Sequence, residues 1–161
     1  QNGSRLFLEK NSKDFLKKNT NLVKVVIVSP SINVIKLVGA TIANMSGFGT
    51  GDLEVVAIGA ATFNANFNID DLDLNLTGGS SSRLIGSCNN LNLTCIGASS
   101  FKGIDFEIED AEIEIVGASN AKLNVVNSLN GNVTGASSVF YKGNPDKDLE
   151  INGASDVSSI N

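Results

Sequence analysis

The chain has 161 residues, a net charge of −5 and 42% apolar residues, with no His or Trp and only two Pro. That length and apolar content fit one domain with a real core. No apolar run approaches the roughly 18 residues of a membrane span, and no secretory leader pattern stands at Gln1.

The charge is uneven. Residues 1–36 carry seven basic side chains against Glu9 and Asp14, a balance of +5, so the remainder carries −10. A nucleic-acid partner requires a continuous basic face with aromatics. The acidic remainder argues against one.

Taken in order, residues 1–31 stand outside any repeat. Arg5 to Glu9 reads as a strand and Asn11 to Asn21 as a lysine-rich loop or short helix. Val23 to Val28 is β-branched and apolar, and it stops at Ser29-Pro30. This segment is expected to form an irregular first coil or cap, because repeat rods need their ends covered.

From Ile32 to Asn161 one pattern recurs. Its clearest copy is Ala-Glu-Ile-Glu-Ile-Val-Gly-Ala-Ser at 111–119. The corner glycines are Gly39, Gly59, Gly78, Gly97, Gly117, Gly135 and Gly153, spaced 20, 19, 19, 20, 18 and 18 apart. A fixed period of that size marks a stacked array.

Two residues before each glycine stand Leu37, Ala57, Leu76, Cys95, Ile115, Val133 and Ile151. Four before stand Ile35, Val55, Leu74, Leu93, Ile113, Gly131 and Leu149. The columns between are mostly polar. A period of two predicts a strand with one buried and one wet face.

The return segments are too short and too rich in Gly, Ser and Asn for helices, and the leucine-rich frame is absent. The expected fold is all-β: a single-stranded, right-handed parallel β-helix. Seven coils of 18–20 residues at strand spacing give a rod roughly 34 Å long.

The remaining apolar residues supply further inward faces. Phe63 and Phe101 each stand four residues past a corner glycine. They read as core, with sugar-stacking platforms as the alternative. Leu84, Ile85, Phe106, Leu123, Val125 and Val126 carry weaker periodicity. Pro145 suits a corner or an edge, since it donates no ladder bond. Cys95 falls in an inward column, and Cys88 lies seven residues earlier across a corner. Spacing alone leaves both packing and bridging open.

Several groups carry candidate chemistry. The Ser that follows most corners reads as part of the corner; a nucleophile would be needed once, not in a column. Asp70, Asp71 and Asp73 offer oxygen ligands for calcium, without the EF-hand or nonapeptide pattern. No other cofactor or metal motif is present. The acidic run Asp105, Glu107, Glu109, Asp110, Glu112, Glu114 raises the polysaccharide-acting enzymes that some β-helices are. Yet Glu112 and Glu114 alternate outward. They are expected beside Asn92 and Asn130, and beside Thr94 and Asn132, on neighbouring coils. Asn75, Asn92 and Asn132 also open Asn-x-Ser/Thr triplets, which an Asn- and Thr-rich strand face generates by composition.

Two stretches carry a family likeness. Tyr-Lys-Gly-Asn-Pro at 141–145, preceded by the Gly-Ala-Ser corners, and Val-Val-Ile-Val-Ser-Pro-Ser-Ile at 25–32 resemble the auto-transporter adhesin, head GIN domain family. The likeness covers essentially the whole chain. It implies a bacterial secreted or surface-anchored β-helical domain, in an extracellular, periplasmic or outer-membrane setting. Family members carry further strands upstream of the position that matches Gln1, so this chain departs from the pattern at its cap. No catalytic residues carry over.

The combined expectation is a non-catalytic surface module. It would hold a glycan or a protein through the outward face of Asn92, Thr94, Glu112, Glu114, Asn130 and Asn132. A polysaccharide-acting enzyme and a purely structural stalk are the alternatives.

Overall fold

The computed structural model describes residues 24–49 and 51–161. The strand expected at Arg5–Glu9 and the loop or helix at Asn11–Asn21 lie outside the described residues. Residues 24–33 are described and form no strand. Val26 and Val28 are 74% and 94% exposed there.

The strands follow the small-residue corners. In chain order they are β1 Val34–Gly39, β2 Ile42–Gly49, β3 Asp52–Gly59, β4 Thr62–Gly78 and β5 Ser81–Gly97. Then come β6 Ser100–Gly117, β7 Asn120–Gly135, β8 Ser138–Lys142, β9 Asp146–Gly153 and β10 Asp156–Ser159. All pair in parallel within one 10-stranded sheet wound on itself. The corner glycines stack in register, from Gly39 on Gly59 through to Gly135 on Gly153.

The expected seven coils become about six turns. Seven corner glycines delimit six complete intervals, and only β10 follows the last of them. The architecture is a parallel β-solenoid, and among the described residues no helix is long and apolar enough to cross a membrane.

Each turn has two inward-facing runs and two kinds of corner. The first corner is Gly-Ala-Ser. At the second, consecutive side chains both leave the core, as at Asp70-Asp71 and Asn89-Asn90. Pro145 sits at this second corner, between β8 and β9.

The Gly-Ala-Ser corner is built from backbone proximity. Gly117 has φ +100°, and a Cβ placed on it would lie 2.6 Å from the Gly97 carbonyl oxygen below. Only glycine satisfies both constraints. The ladder of hydrogen bonds continues through the bend, with Ala118 N–H donating to Gly97 O at 2.7 Å.

The serines complete that ladder. Ser99 Oγ donates within its own corner to Ile96 O, at 3.1 Å, and is placed equally close to Leu76 O one coil below. The Ser99 N–H in turn donates to Ser119 Oγ at 3.3 Å. Ser80, Ser99, Ser119 and Ser137 are all buried. Their hydroxyls satisfy carbonyls that the bend would otherwise orphan. The column, five serines with Thr41 and Ala61, is structural.

The core runs the length of the stack. Val55, Leu74, Leu76, Leu93, Ile113, Ile115 and Val133 are at most 1% exposed. Phe63, Phe101 and Phe106 are fully buried, so they are core and not sugar platforms. Leu84, Leu123 and Val125 also face inward, while Ile85 and Val126 turn out at 39% and 47% exposure. Ile151 occupies the inward column above Val133 but remains 46% exposed, because β9 pairs only with β7 below.

Cys88 and Cys95 are free and buried, in separate columns. Burial, helped by the charges of Asp71 and Glu109, pushes the Cys88 thiol up to about 12, and burial alone does the same to Cys95. Thiols so shifted behave as small hydrophobes.

Candidate functional site

The strand half that precedes each corner glycine presents outward ladders. One reads Glu54, Asp73, Asn92, Glu112, Asn130, Asp148. The next reads Val56, Asn75, Thr94, Glu114, Asn132, Glu150. The expected neighbours are therefore the observed ones.

Their middle rungs enclose a depression of about 290 Å³. Asn92, Thr94, Glu112, Glu114 and Asn132 form its walls, and Leu93, Ile113 and Gly131 its floor. Asn130 belongs to the same ladder but lies outside the lining.

Gly131 lies on the floor of the hollow. It occupies a column that is Val55, Leu74, Leu93 and Ile113 in the coils below. It has φ +129°, and a Cβ would run into the Ile113 carbonyl. The glycine therefore brings backbone and no side chain to the surface. The interruption of an inward apolar column is visible in the sequence, although the hollow on the outer face is not.

The polar groups of the depression are unengaged. Among the described residues, none of the five wall side chains makes a hydrogen bond within the protein. Neighbouring rungs behave differently. Asn75 Nδ2 donates to Asp73 at 2.7 Å, Asn90 Nδ2 donates to Asp71 at 2.6 Å, and Ser128 donates to Asp110. Two carboxylates, two amides and a hydroxyl are thus left free over a floor of strand backbone, since the Leu93 and Ile113 side chains point into the core. Such a set accepts from and donates to hydroxyl groups.

The calcium candidates do not converge. Asp70 accepts from the Gly51 N–H at 3.0 Å, while Asp71 and Asp73 are taken by Asn90 and Asn75. Among the described residues, no three His, Cys, Asp or Glu side chains come together to hold a metal ion.

The acidic run also disperses, because it wraps around one turn. Asp105 turns to the opposite side and pairs with Arg83 at 3.7 Å. Glu109 and Asp110 lie at the second corner, against Asn90 and Ser128 on adjoining coils. Only Glu112 and Glu114 reach the depression.

A second surface feature escaped the reading of the sequence. The strand half that follows each corner carries the outward ladder Asn44, Asn64, Arg83, Lys102, Lys122, Phe140. Its three cations each stand five residues past a corner glycine. That common offset was the available signal.

No curated protein and no solved structure matches the chain significantly. A family model described as "Putative auto-transporter adhesin, head GIN domain" matches residues 2–145. A match of that extent, together with the wound parallel sheet, shows that the chain belongs to this head GIN domain family.

Proposed function

We propose that this domain is a non-catalytic binding module of a secreted or surface-exposed protein. It retains a glycan in the depression formed around Gly131. The single observation that carries the reading is the depression itself, where unengaged carboxylate, amide and hydroxyl groups surround a floor of strand backbone. Sugars present hydroxyls that donate to and accept from such groups. The family's description as an adhesin supports a binding role and an extracellular or surface location.

The dispersal of the acidic run around the turn favours binding over hydrolysis. General acid–base cleavage of a glycosidic bond uses paired carboxylates flanking one bond. Glu112 and Glu114 share a solvent-facing strand surface, and no cation lines the hollow beside them.

The test is incubation of the purified domain with a panel of host and bacterial polysaccharides, with and without calcium. Retention and released sugar ends are both measured. Saturable retention without release is expected, and Glu112→Ala/Asn132→Ala should weaken it about tenfold or more. Released ends would replace this reading with a polysaccharide-acting enzyme. Absence of both signals would replace it with a rigid spacer.

A further inference from the structure

We infer that the opposite side of the rod holds a second binding site, for a linear polysaccharide bearing sulfate or carboxylate groups. The residues are Arg83, Lys102 and Lys122, with Phe140 on the next rung. They stack in strict register on β5, β6, β7 and β8.

The column costs the fold something. Like charges placed directly opposite on adjoining strands repel, and rungs are only about 4.8 Å apart. The sequence could relieve this with acidic or amide residues, as it does in the Glu54–Asp148 ladder, where Asn92 and Asn130 separate the carboxylates. Here it does not. Among the described residues, Arg83 has one ion pair, with Asp105 at 3.7 Å, and neither Lys102 nor Lys122 has an acidic partner. All three are exposed. The two free ammonium groups and the half-engaged guanidinium are available to anions.

The geometry selects a linear polymer. The three charges lie along the rod axis, one per rung, and span roughly 10 Å. One unit of an extended sugar chain advances by about the 4.8 Å of one rung, so successive anionic groups meet successive cations. The aromatic rung selects sugar over a bare polyanion. Phe140 is half-buried, and its ring lies 5.9 Å from the Lys122 ammonium. Its exposed part, between Lys122 and Ser158 on the flanking rungs, offers the C–H side of a sugar ring an apolar contact next to the cationic line. A single-stranded nucleic acid needs several stacking rings along a basic groove, and one ring is present on this column.

The site is separate from the depression, so the two readings fail separately. The wild-type domain is titrated with heparin as a sulfated chain, polygalacturonate as a carboxylated chain and dextran as a neutral one. Inorganic polyphosphate, single-stranded DNA and phosphatidylglycerol vesicles form the other arms. Saturable binding to heparin or polygalacturonate and none to dextran is expected, weakening as salt rises. Lys102→Glu/Lys122→Glu should lower that affinity at least tenfold, and Lys102→Gln/Lys122→Gln by less. Both should melt as the wild type does and keep any retention that depends on Glu112 and Asn132. Phe140→Ala should weaken heparin severalfold and leave polyphosphate unchanged. Equal heparin affinity in the Lys102→Glu/Lys122→Glu variant would overturn the site. Preference for polyphosphate, DNA or vesicles would overturn its assignment to sugar.

Discussion

Phe67 and Phe106 meet edge to face, with ring centroids 5.8 Å apart and planes at 89°, although a whole coil separates their backbones. The residue in register between them is Gly86. A missing side chain in the middle coil lets two large ones close over it. Gly86 also has φ +117°, and a Cβ there would strike the Phe67 carbonyl. Gly86→Ala should therefore destabilise by about 3 kcal/mol, from backbone strain and overpacking together. Gly39→Ala shares the positive φ but meets nothing within 4 Å, so its cost should be about 1 kcal/mol. Urea unfolding of both variants measures the difference. Equal losses would mean that close approach contributes nothing.

Ser82 plays the same spacing role between Phe63 and Phe101. It is 2% exposed, and its hydroxyl has no hydrogen-bond partner among the described residues. A buried, unpaired hydroxyl costs about 1–3 kcal/mol. Ser82→Ala keeps the small volume and removes that cost. It should raise stability by about 1 kcal/mol, visible as a higher melting temperature. A lower melting temperature would show that the hydroxyl is satisfied.

The inward and outward assignment can be tested on adjacent residues. Ile113 is 1% exposed, while Glu114 faces solvent. Ile113→Asp buries an unpaired charge, at a cost of several kcal/mol, and should prevent folding at room temperature. Glu114→Lys should change stability by less than about 0.5 kcal/mol. Circular dichroism melts of the pair decide the matter, because a misassigned face would reverse the ranking.

The thiols make a prediction at high pH. Both fold with pKa values raised from 9.0 to about 12. The unfolded chain then releases these protons above about pH 9, and the folded chain does not. Their stabilising contribution is complete below pH 9 and is lost as the pH rises towards 12. The melting temperature should fall across that window, and Cys88→Ala/Cys95→Ala should flatten the part of the slope that the thiols cause. In the native state at pH 8 both should resist iodoacetamide, and both should react on unfolding. Fast native labelling would contradict their burial.

The axis of the fold was legible because two signals coincide. Small corner residues recur every 18–20 positions, and a period of two leads into each of them. Together they place Ile113, Ile115, Glu112 and Glu114 on their correct faces without coordinates. The strand half after each corner was less legible. Register slips between Arg83 and Ile85, and between Lys102 and Glu107. The in-out alternation still holds at Leu84-Ile85 and Val125-Val126, but it places apolar Ile85 and Val126 outward, which blurs the pattern in the sequence. The acidic run shows the opposite failure. It is contiguous in sequence, yet a turn of the coil carries its members to different sides. The depression is a matter of how outward side chains on three coils stand around the backbone, and a column read for apolar residues does not show that.

The register of the corner glycines has a mechanical consequence. Hydrogen bonds between rungs run along the rod, so a pull on one end of the stack loads the outermost rung before the next. The domain should yield coil by coil, as a zipper does, and not all at once. Each detached coil would free roughly 60 Å of chain and leave the coil beneath it as the new end. A protein tethered at one end of such a stack and holding its ligand on the side would lengthen under load while the rungs that carry the ligand stay folded.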